Sequence, residues 1–90
     1  MWNLVVTTQF KKDLKHYQNH PSKLAALKDV LNQLQNTGTV NPKHKPHHLA
    51  GEYVGCMECH IQNDFLLVWI NKEERIISLV RLGSHAELFK

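Results

Sequence analysis

The side chains best suited to chemistry in this 90-residue chain gather in its C-terminal third. His60 and Asp64 stand before an unbroken apolar run, Phe65 to Ile70, and Arg81 and His85 follow the next apolar stretch. Imidazole, with an ordinary pKa of about 6.5, can take or give a proton near neutrality. A guanidinium can hold two oxygens of one phosphate. Cleavage of RNA through its own 2′-hydroxyl needs a base, an acid and positive charge against a pentacovalent phosphate, and it needs no metal and no cofactor.

Such groups work only if the fold brings them to one place. The run Phe65 to Ile70 has the length and composition of a strand buried on both faces, hence the centre of a sheet. Trp2 to Val6 is β-branched and aromatic enough for a first strand, and Thr7 or Thr8 can cap a helix beginning near Gln9. Phe10, Leu14 and Tyr17 form its apolar stripe, with Lys11, Lys12, Asp13 and Lys15 on the other side. Asn19 to Pro21 stop it, because the residue before a proline is pushed out of the α region. Ser22 is a candidate cap for a second helix carrying Leu24, Leu27, Val30, Leu31 and Leu34, closed by Asn36, Thr37 and Gly38. Thr39 to Gly51, with two prolines, reads as an exposed loop. Glu52 to Ile61, Phe65 to Ile70 and Arg75 to Leu82 read as strands whose short connections imply an antiparallel meander. A last turn, Ser84 to Leu88, has the spacing of a capping box, Ser84 with Glu87. The predicted architecture is α+β, in the order β-α-α-β-β-β. It is one domain over residues 1–90, a twisted and mainly antiparallel sheet with two N-terminal helices on one face and the other face open to a ligand.

Two metal patterns compete with the acid–base reading. Cys56-Met-Glu-Cys59-His60 has the form of a covalent haem site, and His44, His47, Cys56 and Cys59 together have the donor types of a tetrahedral zinc site. Both require the cysteines to converge. In a strand they point to opposite faces, with Cα atoms about 10 Å apart, beyond disulfide reach as well. They read as packing residues.

Eleven Lys and Arg against eight Asp and Glu give a formal charge of +3, with seven histidines besides. The excess is concentrated at Lys11, Lys12, Lys15, Lys23 and Lys28 and again at Lys43 and Lys45, which favours a polyanionic partner or a solvated face. The N-terminal apolar segment has no basic residue before it and is too short for a signal peptide or a membrane span, so the expected address is the cytosol.

Three blocks carry a family likeness: His47-His-Leu-Ala-Gly51-Glu-Tyr53, Glu58-Cys-His60-Ile-Gln-Asn-Asp64-Phe65, and Arg81-Leu-Gly-Ser-His85-Ala-Glu-Leu-Phe89. In order, spacing and residue type the chain resembles the YafQ branch of the RelE/ParE toxin superfamily. The resemblance implies a RelE-like fold and a bacterial, cytoplasmic toxin of a type II toxin–antitoxin pair that cuts mRNA in the ribosomal A site. It places functional roles on His47, His60, Asp64, Arg81, His85 and Phe89. His85 would be the acid to the leaving 5′-oxygen, and His60 or Asp64 the base for the 2′-hydroxyl. Arg81 would hold the phosphate, and His47 would orient substrate or balance charge. Phe89 and Phe65 would stack on bases, Phe65 standing where relatives carry tryptophan, at roughly 1–3 kcal/mol per contact. An apolar C-terminal anchor is the other reading of Phe89. Lys11, Lys12, Lys15, Lys43 and Lys45 would grip substrate or 30S ribosomal RNA. The implied protein partner is a cognate antitoxin, DinJ-like or similar, acidic where it binds. A ParE-like toxin without nuclease activity and a zinc-bound nucleic-acid module are the rival classes.

Overall fold

The computed structural model describes residues 1–89. Their order is β1 (Asn3–Val6), α1 (Thr8–Lys15), α2 (Pro21–Thr37), β2 (His47–His48), β3 (Met57–Gln62), β4 (Phe65–Lys72), β5 (Ile76–Gly83) and α3 (His85–Leu88). One five-stranded sheet runs β1-β5-β4-β3-β2, with β1 parallel to β5 and every other pair antiparallel. The fold class is as the sequence predicts, and β4 lies at the centre.

Local chemistry accounts for most of the element ends. Thr7 caps α1, its hydroxyl accepting from the Phe10 N–H. Ser84 accepts from the Glu87 N–H while the Glu87 carboxylate accepts from the Ser84 N–H, which completes the expected capping box of α3. Gly38 closes α2 at φ 77°, and a Cβ there would lie 2.4 Å from the Trp2 indole, so conformation and space both require glycine. The start of α2 differs from expectation. Pro21, not Ser22, opens the helix and His20 precedes it without a side-chain cap, because proline has no N–H to satisfy and a φ already set for the first turn.

The segment 39–51 also departs from the predicted loop. It contains a 3-10 turn at Pro42–His44 and the short strand β2, whose two residues pair with Glu58 and Met57 of β3. Two residues are too few for a periodic signal, so only the tertiary partner reveals them. The strand expected from Glu52 begins later, at Met57, because Gly51–Tyr53 forms another 3-10 turn.

The main core lies between the helices and one sheet face. Phe10, Leu27, Val30 and Leu34 meet Cys59, Leu67, Trp69, Ile77 and Leu79 there. Fully burying such a side chain contributes about 1.5–3 kcal/mol each. The second face is not bare as expected: Leu66 and Val68 are covered by Cys56, Leu88, Leu49 and Tyr53. Cys56 and Cys59 therefore sit in different clusters on opposite faces, which removes the convergence that haem or zinc would need. Burial pushes the Cys56 thiol up and the Cys59 thiol up to about 12, as suits packing residues. No helix of the described residues is long and apolar enough to cross a membrane.

Candidate active site

Strand register assembles the site on that second face. His47, Glu58, Val68 and Arg81 stand opposite one another across β2 to β5, and His60, Leu66 and Gly83 form the next row. Alternation along β3 sends Glu58 and His60 to this face while Cys59 and Ile61 enter the main core. Across the surface the rings follow one another, His47 to His60 at 6.4 Å, His60 to His85 at 5.8 Å and His85 to Phe89 at 5.9 Å. Tyr53 closes the row edge-on to Phe89, at 5.6 Å and 89°.

The hydrogen bonds assign protons to three of these histidines. A carbonyl can only accept, so His60 donates from Nδ1 to the Asn63 carbonyl (3.4 Å) and His47 from Nδ1 to the Lys45 carbonyl (2.9 Å). The Asp64 carboxylate accepts twice from His85, from its backbone N–H (2.9 Å) and from Nδ1 (3.1 Å). The backbone bond, first of all, and the imidazole bond hold the Asp64 carboxyl below the usual carboxylate range. The Nε2 atoms of His60 and His85 are thereby left for other work.

Glu58 is the buried member. It is 2% exposed, with Oε1 3.2 Å from His47 Nε2 and Oε2 without a hydrogen-bond partner among the described residues. Since His47 has committed Nδ1–H to the Lys45 carbonyl, Nε2 is the ring atom that faces the Glu58 carboxyl group. Glu58, His60 and His85 each place one donor atom within 4.8 Å of the others. One carboxylate and two imidazoles could hold a borderline divalent cation such as zinc or copper.

Arg81 is held on the sheet by Asp13. Its Nε and Nη2 donate to the two Asp13 oxygens at 2.9 and 3.3 Å, and Nη1 donates to the Tyr53 hydroxyl at 2.9 Å. β1 pairs with β5 only as far as Leu79, so beyond it β5 presents an edge. Asp13 of α1 accepts the Leu82 N–H there at 2.9 Å. Burial alone would raise the Asp13 carboxyl, but the Arg81, Leu82 and Gln9 hydrogen bonds outweigh it and hold it low. Arg81 is raised in turn, first by its bond to Asp13. Three of the five guanidinium N–H groups are spent in these contacts, which leaves two for an anion.

The histidines, Asp64, Arg81 and Phe89 thus gather on one face. Phe65 does not join them. It is fully buried in the main core, with Tyr17 at 4.7 Å and the Lys23 ammonium 5.0 Å from its ring, so no ring face is left for the expected stacking on a base. Phe89, by contrast, is 40% exposed beside His85. Lys43 and Lys45 line a cavity that reaches His60. Lys11 and Lys15 line a separate groove between α1 and α2, floored by Leu14 and Leu24, and Lys12 is exposed on α1.

The arrangement matches known proteins over almost its whole length. Residues 2–90 fit the family model described as bacterial toxin of type II toxin–antitoxin system, YafQ. The chain belongs to the YafQ toxin family. It is 29% identical to the mRNA interferase toxin YafQ of Escherichia coli K12 over 82 residues, 90% of this chain and 88% of that one. A metal-bound toxin from Helicobacter pylori is 38% identical and superposes with a TM-score of 0.85, covering 99% of this chain and all of the other. YafQ in the E. coli DinJ–YafQ toxin–antitoxin complex superposes at 0.84 with 27% identity, over 99% and 98% of the two chains.

Beyond the residues assigned from sequence, this YafQ-family site contains Asp13, Tyr53 and Glu58. Glu58 had a signal, being two residues from His60 and so on the same strand face. Asp13 had none, since it meets Arg81 from 68 positions away.

Proposed function

We propose that this chain is an mRNA interferase, an endoribonuclease that cuts mRNA in the ribosomal A site and so stops translation and growth. The observation that carries the reading is the approach of Glu58, His60 and His85 to within 4.8 Å of one another on one sheet face. Membership of the YafQ family, and the E. coli relative's name of mRNA interferase, support it.

The roles follow from the proton inventory. His60, with Nδ1–H tied to Asn63, has its Nε2 lone pair ready for the 2′-hydroxyl proton. The 2′-oxygen then bonds to phosphorus while the bond to the 5′-oxygen breaks, and His85 delivers its Nε2 proton to that leaving oxygen. Products are a 2′,3′-cyclic phosphate and a 5′-hydroxyl. Asp64 bonds twice to His85 and orients the acid, so the base role falls to His60. Glu58, which lies beside both His60 and His47, balances the imidazolium that forms on His60. The free N–H groups of Arg81 stabilise the pentacovalent phosphate, a type of contribution worth about 3–4 kcal/mol. Phe89 offers the stacking face.

The partners are a cognate antitoxin, supported by the solved complex of the E. coli relative, and ribosomal RNA, supported by the lysines of α1. The site of action is the bacterial cytoplasm. The test is cleavage of mRNA on programmed ribosomes by the intact chain and by His85→Ala. In-frame cuts ending in 2′,3′-cyclic or 3′-phosphate, lost in the variant, are expected. Products with a 3′-hydroxyl, or unchanged cutting by the variant, would overturn the mechanism.

A further inference from the structure

A cavity of about 400 Å³ adjoins the site and shares one wall with it, the His60 residue. Lys43 and Lys45, from the 3-10 turn, line it together with Gln62 and Asn63, from the end of β3 and the turn after it. We propose that this cavity seats the nucleotide next to the scissile phosphate, with the two lysines on its backbone phosphate and the two carboxamides on the edge of its base. The inference rests on the ribonuclease reading above and adds to it a place where sequence is read.

The lysine wall is built. The 3-10 turn that carries it is capped by Asn41, which accepts from the Lys43 N–H at 2.9 Å, and closed by the Lys45 N–H on the Pro42 carbonyl at 2.9 Å. Lys45 takes the left-handed conformation at φ 53° to complete it. Buried His44 ties the turn to β3 by donating from Nδ1 to the His60 carbonyl at 2.8 Å. The ammonium groups are therefore displayed from a rigid turn pinned to the strand that bears the base.

The lining from the end of β3 has another chemistry. Gln62 and Asn63 are exposed and uncharged, and each carboxamide offers two donors and one acceptor, the vocabulary that reads unstacked bases by their edges. An irregularity in the β3–β4 pairing between His60 and Gln62 re-aims this end of the strand. No carboxylate lines the cavity among the described residues, so nothing there opposes a phosphate. The Asn63 carbonyl also accepts from His60, so the turn that would contact the base sets the ring that would take the proton. A strand held at its scissile phosphate between His60 and His85 places the adjoining nucleotide beside His60, where this cavity opens.

The experiment is cleavage by the intact chain, Gln62→Ala, Asn63→Ala and the double variant Lys43→Ala/Lys45→Ala on ribosomes carrying A-site codons varied at each position. The readout is kcat/KM for each codon. The carboxamide variants should flatten the preference at one codon position about fivefold or more and leave the others unchanged. The lysine pair should lower kcat/KM on all codons alike and make it less dependent on salt. Unchanged base profiles in both carboxamide variants, in an intact chain that cuts, would overturn the seat alone. An intact chain that cuts no codon would instead overturn the ribonuclease reading beneath it. Thermal unfolding of each variant separates a lost contact from a lost fold.

Discussion

The two faces of the central sheet differ in composition although they are made from the same strands. Cys59, Ile61, Leu67 and Trp69 face the helices and form a continuous apolar core. One residue away along the same strands, Glu58, His60 and Arg81 stand on a face whose apolar cover is only a small cluster around Leu66 and Val68. Core and chemistry are thus back to back, with a period of two between them. The helix face supplies stability by area, and it holds rigid the strands on which polar groups must keep their distances. Substitutions on one face should therefore register in unfolding, and those on the other in turnover.

The largest expected effect is on turnover. His85→Ala should lower kcat by about 10²–10⁴ as the proposed general acid is lost, with the unfolding midpoint unchanged because the ring is exposed. A matching loss of stability would show that α3 has a structural role and blur the division between faces. Trp69→Ala should do the reverse, removing about 3–5 kcal/mol from the unfolding free energy in denaturant titration. Asp13→Asn lies on the seam and should do both. It leaves the half-buried Arg81 without its counter-charge, at a cost of roughly 3 kcal/mol, and frees the guanidinium from its fixed place, which should lower kcat more than it raises KM. An effect on KM alone would remove Arg81 from the transition state.

Acid should act through the same groups. The Asp13, Asp64 and Glu87 carboxyls are all lowered by folding, so the unfolded chain binds more protons once pH drops. Their contribution is complete above the ordinary values of 3.8 and 4.5 and is lost as pH falls through the lower folded ones. Stability measured from pH 7 downwards should stay level and then decline in that window, and less steeply in Asp13→Asn. A decline that is just as steep would exclude Asp13 as a source.

The smallest effect sharpens the comparison at the site itself. A divalent cation captured by Glu58, His60 and His85 would take up the lone pair of the proposed base and hinder the proposed acid, so added zinc or copper should inhibit cleavage and a chelator should restore it. Activation by the cation would transfer the chemistry to the metal.

Much of this fold was legible because its causes are local. The stripe at three and four residues in α2, the apolar run in β4, the Thr7 and Ser84 caps and the glycine at 38 depend on neighbours within one or two turns. The positions of His60, Asp64, Arg81 and His85 at strand ends followed from those elements. The two-residue β2 did not, since its only reason to be extended is its partner in β3. Nor did the burial of Phe65, where an aromatic beside a polar motif looks the same in sequence whether it faces solvent or core.

By itself, then, the sequence determined the element order, the core stripe and the candidate acid–base set, because periodicity, capping and residue chemistry are properties of short stretches. Only the tertiary structure decided that Glu58 stands with the histidines, that Asp13 occupies Arg81 and that the lysine turn opens beside His60. Those depend on strand register and on contacts between residues as far as 68 positions apart, which are set by the packing of the whole domain rather than by any segment of it.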